Sequence, residues 1–261
     1  MQEDTFKTAI DQGIATLTLN RPERHNAFDD ALIADLTTEL KRLQALEEIR
    51  VVILAGEGKS FSAGADLNWM KRMAGYSRED NYRDAMALAG LMETLDGLAK
   101  PTIARVQGAA FGGGVGLVAC CDIAIASDAA SFCLSEVKLG LIPAAISPYV
   151  TKCMGEKQAR RYFVTAERFD AEEARRIGLV HEVVAADALD TRIAELTRQM
   201  RGNGPLAMAA AKQLARDVSR GELDQTMMDD TSRRIADIRV SPEGQEGIGA
   251  FLEKRKPAWT Q

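Results

Sequence analysis

Apolar and polar positions alternate over residues 6–20, with Ile14, Thr16 and Thr18 on one side of the chain and Ala15, Leu17 and Leu19 on the other. With Gln12-Gly13 between the two halves, this pattern predicts a β-hairpin. The period then lengthens. Over residues 30–46, Leu32, Ile33, Leu36, Leu40 and Leu43 recur at helical spacing, and Asp29 or Asp30 can cap the start. VVILAG, residues 51–56, has the length and continuous apolarity of a buried strand that ends in a turn. Residues 67–98 read as largely helical with a break near Gly75-Tyr76-Ser77, and Pro101 opens another strand in PTIARVQG. An apolar run from Leu117 predicts a short buried helix, and IAIAS and SFCLS predict strands parted by Asp128-Ala129-Ala130. Beyond Arg160 the pattern is amphipathic helix, in AEEARRIG, residues 188–200, LAMAAAKQLARDV and residues 222–238, with LVHEVV as an intervening strand. The predicted fold class is α/β: a core over residues 1–203 and a helical C-terminal part over residues 204–261, joined at Gly202-Asn203-Gly204-Pro205.

Composition narrows the class of protein. The 261 residues are 46% hydrophobic and 27% charged, which suits a globular chain able to bury a sizeable core. Residues 1–11, MQEDTFKTAID, carry neither a basic nor an apolar signal segment, and no apolar run reaches membrane-spanning length. A cytoplasmic protein with no membrane partner is expected. Cys120, Cys121, Cys133 and Cys153 include no CxxC pair and read as small buried residues. With two histidines, His25 and His181, no multi-histidine metal site is expected. A net charge of −5 and a pI near 5.3 argue against nucleic acid as a partner.

Two glycine-bearing motifs lack a required residue. GEGKS, residues 56–60, has Ile53 where a phosphate-binding loop needs its first glycine, and GGGVGL has Leu117 where the dinucleotide fingerprint needs its third. Two other loops share one design: FSAGAD, residues 61–66, after VVILAG, and AAFGGG, residues 109–114, after PTIARVQG. Each places small residues between a strand and a helix. Small residues let a ligand reach the main chain, and the first N–H groups of a helix are unpaired at the positive end of its dipole. Two such donors converging make an oxyanion hole; the plainer alternative is close packing of helix on strand.

The ordered series LNRPERHNAF, GKSFSAGADLNWM, GAAFGGGVGLVACCDIAIAS, FCLSEVKLGLIP and AFLEKRKP resembles the enoyl-CoA hydratase/isomerase family, or crotonase superfamily, over essentially the whole chain. The resemblance implies a spiral of repeated ββα units and a C-terminal helical region that assembles trimers, or hexamers built from two trimers. It implies an acyl-CoA thioester substrate, so that CoA belongs to the substrate and no separate cofactor is needed. It places the oxyanion hole on the backbone N–H groups of Ala65 and Gly113. It lays the adenine and pantetheine of CoA against residues 63–68, including Ala63, Asp66, Leu67 and Asn68, with Arg24 and Ala27 lining the pocket. Phe251 and Lys254 match C-terminal residues that contact CoA, often from a neighbouring subunit. As ordinary residues, Arg24 and Lys254 are equally charged surface and Phe251 an apolar anchor.

Hydratases of this family commonly carry two glutamates, at the positions of Gly116 and Glu136, and this chain keeps the second. Glu136 lies in an otherwise apolar stretch, where burial raises a carboxyl pKa toward neutrality and suits it to proton transfer; the alternative is a solvated glutamate paired with Lys138. A hydrogen at Gly116 is expected to free space beside the reacting carbons and to remove a charge, favouring a substrate branched at C3 or bearing a carboxylate. Lys71 or Arg72 is a candidate to hold that carboxylate. GGGVGLVACCD, SAGADLNWMKRM and LGLIPAAISPYV look most like 3-methylglutaconyl-CoA and isohexenylglutaconyl-CoA hydratases. This implies hydration of a branched, carboxylated 2-enoyl-CoA in leucine or acyclic-terpenoid catabolism. An enoyl-CoA isomerase, a generic hydratase of fatty-acid oxidation and a noncatalytic RNA-binding member of the superfamily are the alternatives.

Overall fold

The computed structural model describes residues 5–260. The hairpin is β1 (Phe6–Asp11) and β2 (Ile14–Leu19), joined at Gln12 and Gly13, both at positive φ (47° and 80°), a turn whose twist matches that of the strands. α1 (Asp30–Ala45) starts where the Asp29 carboxylate accepts the Leu32 N–H, and it buries Leu32, Ile33, Leu36, Leu40 and Leu43 as the spacing predicts.

Successive steps then follow one plan. The first is β3 (Val51–Gly56), β4 (Ser60–Ser62), α2 (Leu67–Met73) and α3 (Arg78–Asp96). The second is β5 (Thr102–Val106), β6 (Ala109–Phe111) and α4 (Gly113–Cys120). The third is β7 (Ile123–Ser127) and β8 (Ser131–Cys133), followed by a 3-10 turn at Glu136–Leu139, α5 (Ser147–Met154) and α6 (Glu156–Thr165). β9 (Phe169–Asp170), α7 (Ala171–Arg176) and β10 (Glu182–Val184) complete the sheets. Each step gives its first strand to a six-stranded sheet, ordered β1-β2-β3-β5-β7-β10, and its second to a four-stranded sheet, ordered β4-β6-β8-β9. Pairing is parallel except at β1 with β2 and at β8 with β9.

α4 begins at Gly113, ahead of the Leu117 start read from the apolar run, with Gly112 at φ 50° as its N-cap. Glycine costs a helix about 1 kcal/mol per residue relative to alanine, so propensity does not explain this start. Close packing does. A Cβ on Gly113 would lie 2.2 Å from Phe28 Cζ, and one on Gly114 2.5 Å from the Ser62 carbonyl oxygen. α5 and α6 were not predicted either: α5 has only eight residues, too few to display a period, and Gly155 at φ 75° separates the two.

Contacts divide the chain into two compact units. One runs up to Leu98 and over Thr102–Ile193 and holds both sheets; the other takes Ala99–Pro101 and the chain from Ala194 onward. The division falls inside α8 (Leu189–Arg201), ahead of the Gly202-Asn203-Gly204-Pro205 joint. In the second unit are α9 (Pro205–Val218), α10 (Gln225–Val240) and α11 (Pro242–Leu252); the Glu243 carboxylate accepts the Leu206 and Ala207 N–H groups (2.9 and 2.8 Å) at the start of α9.

Within the first unit, Asn26 fastens residues 21–28 to the β3–β4 connection. It is fully buried at φ 55°, a conformation asparagine tolerates better than most residues. Its Nδ2 donates to the Glu57 and Ser60 carbonyls (both 2.8 Å), and its Oδ1 accepts the Arg21 N–H (2.9 Å). Asn26→Ala removes all three bonds in a buried setting and should cost roughly 2–4 kcal/mol in urea unfolding. A loss of less than about 0.5 kcal/mol, the scatter of an ordinary surface substitution, would contradict this clamp.

Candidate active site

β4, β6 and β8 lie side by side and parallel, with Ser62 opposite Ala110 and Phe111 opposite Cys133. Their carboxyl ends release residues 63–66, 112–113 and 134–136 next to one another, which is where parallel α/β sheets place ligands. The Gly112 N–H donates to the Cys133 carbonyl (2.9 Å), tying the second segment to the third.

Phe28 ties the first segment to the second. Its N–H donates to the Gly64 carbonyl (2.8 Å) and its carbonyl accepts the Asp66 N–H (2.9 Å), bracketing Ala65, while its ring lies against Gly113. A Cβ on Gly64 would sit 2.8 Å from the Phe111 carbonyl oxygen and 3.5 Å from the Gly113 nitrogen, so the two loops are in contact. Among the described residues the N–H groups of Ala65 and Gly113 donate to no other group. In the sequence Phe28 is only the last letter of LNRPERHNAF, and its bridging role depends on contacts that no local pattern reveals.

Glu136 opens the 3-10 turn after β8, and its Oε1 lies 3.1 Å from where a Cβ on Gly112 would stand. Its Oε2 is buried and has no hydrogen-bond partner. Burial pushes the carboxyl above its ordinary range, and its own backbone N–H opposes this more weakly. Among the described residues no ion pair joins it to Lys138, which is exposed.

Asp66 has the opposite environment. It caps α2 by accepting the Asn68 and Trp69 N–H groups (2.8 and 3.4 Å), and it pairs with Arg24 (3.3 Å) and Arg21 (3.6 Å). Burial is the largest single influence and would raise its pKa, but the two N–H donors and the arginines outweigh it and hold the carboxyl below its ordinary range. Ala27 is buried, and its carbonyl accepts from Arg21 Nη1 (3.1 Å); the Ala63 N–H donates to the His25 carbonyl (2.9 Å). Leu67 and Asn68 are exposed on the first turn of α2. Arg24, Ala27, Ala63, Asp66, Leu67 and Asn68 are thus brought together by two loops that bond to each other. Arg21 and Asn26, which hold those loops, were not singled out in the sequence, although a paired arginine and asparagine in RPERHN was the signal available. Phe251, 82% exposed, and Lys254, at φ 58°, lie in the second unit.

The space expected at Gly116 is not there. A Cβ on Gly116 would stand 2.3 Å from Ile146 Cγ2, 2.9 Å from Ile146 Cβ and 3.3 Å from Met92 Cε. LIPAAISPYV carries Ile146 down onto α4 as the N-cap residue of α5, and its side chain occupies what the missing one leaves. Arg72, one candidate for a distal carboxylate, pairs with Asp30 at the surface.

Among the described residues, no group of His, Cys, Asp and Glu is placed to hold a metal ion, and no helix is long and apolar enough to cross a membrane. A family model described as enoyl-CoA hydratase/isomerase matches residues 9–261. The 2,3-dehydroadipyl-CoA hydratase of Escherichia coli K12 is 33% identical, with 94% of this chain and 94% of that one covered. An enoyl-CoA hydratase structure from Shewanella pealeana matches with a TM-score of 0.96 at 49% identity, over 99% of this chain and 97% of that one. Pseudomonas aeruginosa AtuE matches with a TM-score of 0.95 at 38% identity, over 99% and 100%. The two interleaved sheets are therefore those of a crotonase-fold enzyme of the hydratase type. The chain belongs to the enoyl-CoA hydratase/isomerase family.

The raised pKa of Glu136 has a consequence for stability. The folded chain holds this proton more tightly than the unfolded chain, so the associated stability is fully present below the ordinary carboxyl value of 4.5 and is lost as pH rises through the raised folded value. Glu136→Gln does not ionise and should escape that loss. The thermal midpoint of the variant minus that of the parent should therefore increase from acidic pH to neutral pH. A pH-independent difference would show that the carboxyl is unperturbed.

Proposed function

We propose that this chain hydrates the 2,3 double bond of a 2-enoyl-CoA, with Glu136 as its single acid–base group and the Ala65 and Gly113 N–H groups as the oxyanion hole. The observation that carries the proposal is a partly buried carboxyl, one oxygen of it unpartnered, lying over Gly112 beside the unpaired Gly113 N–H. Water adds its oxygen to C3 and gives a proton to Glu136, while the C2–C3 π electrons move toward the thioester oxygen. The two N–H groups hold the resulting enolate, and each such donor is worth about 3–4 kcal/mol of barrier. C2 then takes the proton from Glu136, giving a 3-hydroxyacyl-CoA. A carboxyl whose pKa is raised by burial serves both transfers better than an ordinary one. Residues 63–68, with Arg24 and Ala27, form the CoA groove.

A branched, carboxylated acyl chain such as 3-methylglutaconyl or isohexenylglutaconyl is supported by charge. Gly116 leaves Glu136 without a second carboxylate beside it, and a relative is named a 2,3-dehydroadipyl-CoA hydratase. Free volume does not support it, since Ile146 fills the space at Gly116. A straight-chain 2-enoyl-CoA fits the same machinery. The single carboxylate also suits an isomerase, because one group can carry a proton from one carbon to another.

Glu136→Gln should lower hydration kcat by about 10²- to 10⁴-fold with little change in KM, since the amide cannot accept the proton. Near-parental turnover would remove Glu136 from the mechanism. In D2O the parent should deliver deuterium and hydroxyl to the same face, and in H2¹⁸O the label should appear in a 3-hydroxyacyl product. Label-free product with a migrated double bond would establish the isomerase instead.

The second unit exposes Leu206, Met228, Val240, Phe251 and Leu252, and self-association, as a trimer or a dimer of trimers, would cover them. Phe251 and Lys254 would then serve a neighbouring copy's CoA. Light scattering at micromolar concentration should report an oligomer; a monomer would contradict this assembly.

A further inference from the structure

Gly112, the N-cap of α4, and Gly116, in its first turn, are one turn apart, and the Gly116 N–H donates to the Gly112 carbonyl (3.3 Å). One helical turn rises about 5 Å, so what lies over Gly112 and what lies over Gly116 stand about one turn apart at the start of α4. Over Gly112 is the Glu136 carboxyl, and over Gly116 are Ile146 and Met92. Both apolar partners are packed tight: Ile146 is 2% exposed, Met92 is fully buried, and Met92 Sδ touches Cys120 Sγ (3.7 Å) behind it. Ile146 is also anchored through its main chain, its carbonyl accepting the Tyr149 and Val150 N–H groups (both 3.1 Å) as α5 begins.

We propose that Ile146 is a specificity-determining residue: paired with Gly116, it closes the site beside Glu136 and limits the size of the substituent on the reacting carbon. The proposal rests on the assignment of Glu136 as the acid–base group. An acyl chain whose carbonyl oxygen sits at the Gly113 N–H runs along the first turn of α4, with Glu136 at its reacting carbons and the Ile146 side chain next. Because Ile146 Cγ2 stands only 2.3 Å from the position of a Cβ at residue 116, the two residues compete for one volume. Enlarging residue 116 therefore displaces Ile146, and trimming Ile146 opens room next to the reacting carbon. A wall of this kind discriminates by methyl groups, each worth about tenfold or more in kcat/KM.

The test compares kcat/KM for crotonyl-CoA and for its 3-methyl homologue in the parent, Ile146→Val and Ile146→Ala. The ratio should move toward the 3-methyl substrate by about tenfold in Ile146→Ala and in the same direction, by less, in Ile146→Val. A folded Ile146→Ala with an unchanged ratio overturns the proposal. The shared volume is tested separately by the thermal midpoints of Gly116→Ala, Ile146→Gly and the double variant. The double variant should lose less than the sum of the two single losses, and strictly additive losses overturn the pairing. A parent inactive on every enoyl-CoA overturns the hydratase assignment and with it the specificity role, while the midpoints still decide the pairing.

Discussion

The first turn of α4 approaches its surroundings more closely than any side chain would permit. Phe28, the Ser62 carbonyl and Ile146 each stand where a Cβ of Gly113, Gly114 or Gly116 would be. This approach sets the position of the Gly113 N–H against the loop that carries Ala65, and it lets the Glu136 carboxyl rest on Gly112. Glycine is a poor helix former, so the helix is held by its burial: Val115, Leu117 and Val118 are at most 1% exposed. Local preference has been given up for tertiary contact at the place where the proposed mechanism makes the main chain itself the functional group.

The two acidic residues near this turn show how environment divides one chemistry into two roles. Asp66 is surrounded by donors, two backbone N–H groups and two arginines, and it stays ionised as a cap and clamp. Glu136 is given almost nothing: one oxygen is sealed away without a donor, and burial raises its pKa. The first arrangement fixes geometry, whereas the second leaves a proton easy to exchange. A cation beside Glu136 would reverse this, and Arg21, Arg24 and Arg72 are each paired with an aspartate instead.

Much of this could be read from the chain because it is encoded locally. The alternation at residues 14–19 and the leucines of α1 revealed both elements, and an aspartate cap was expected at Asp29 or Asp30, of which the structure uses Asp29. The two small-residue loops and Glu136 were visible as motifs, and the close packing of the glycines was already the plain alternative to their chemical use. Ile146 was not visible, because it meets Gly116 across thirty positions of sequence and sits at a helix start where no period operates. Phe28 and Asn26 escaped for a related reason: one works through its main chain and ring, the other through a buried amide at positive φ, and neither property follows from residue type in a loop. The site's empty volume was misjudged for the same cause, since a missing side chain shows in the sequence and the neighbour that replaces it does not.

In the proposed mechanism the donors to the thioester oxygen are peptide groups, and this bears on how such a protein can change over generations. No substitution deletes a backbone N–H except one to proline, so the hole is inherited with the fold and passes unaltered through most mutations. Glu136 and Ile146 are ordinary side chains that a single codon change can replace. The half of the machinery that resists substitution is thus written in chain path and the adaptable half in side chains. Descendants of this sequence can acquire new reactions on the same thioester without first rebuilding the means of holding it.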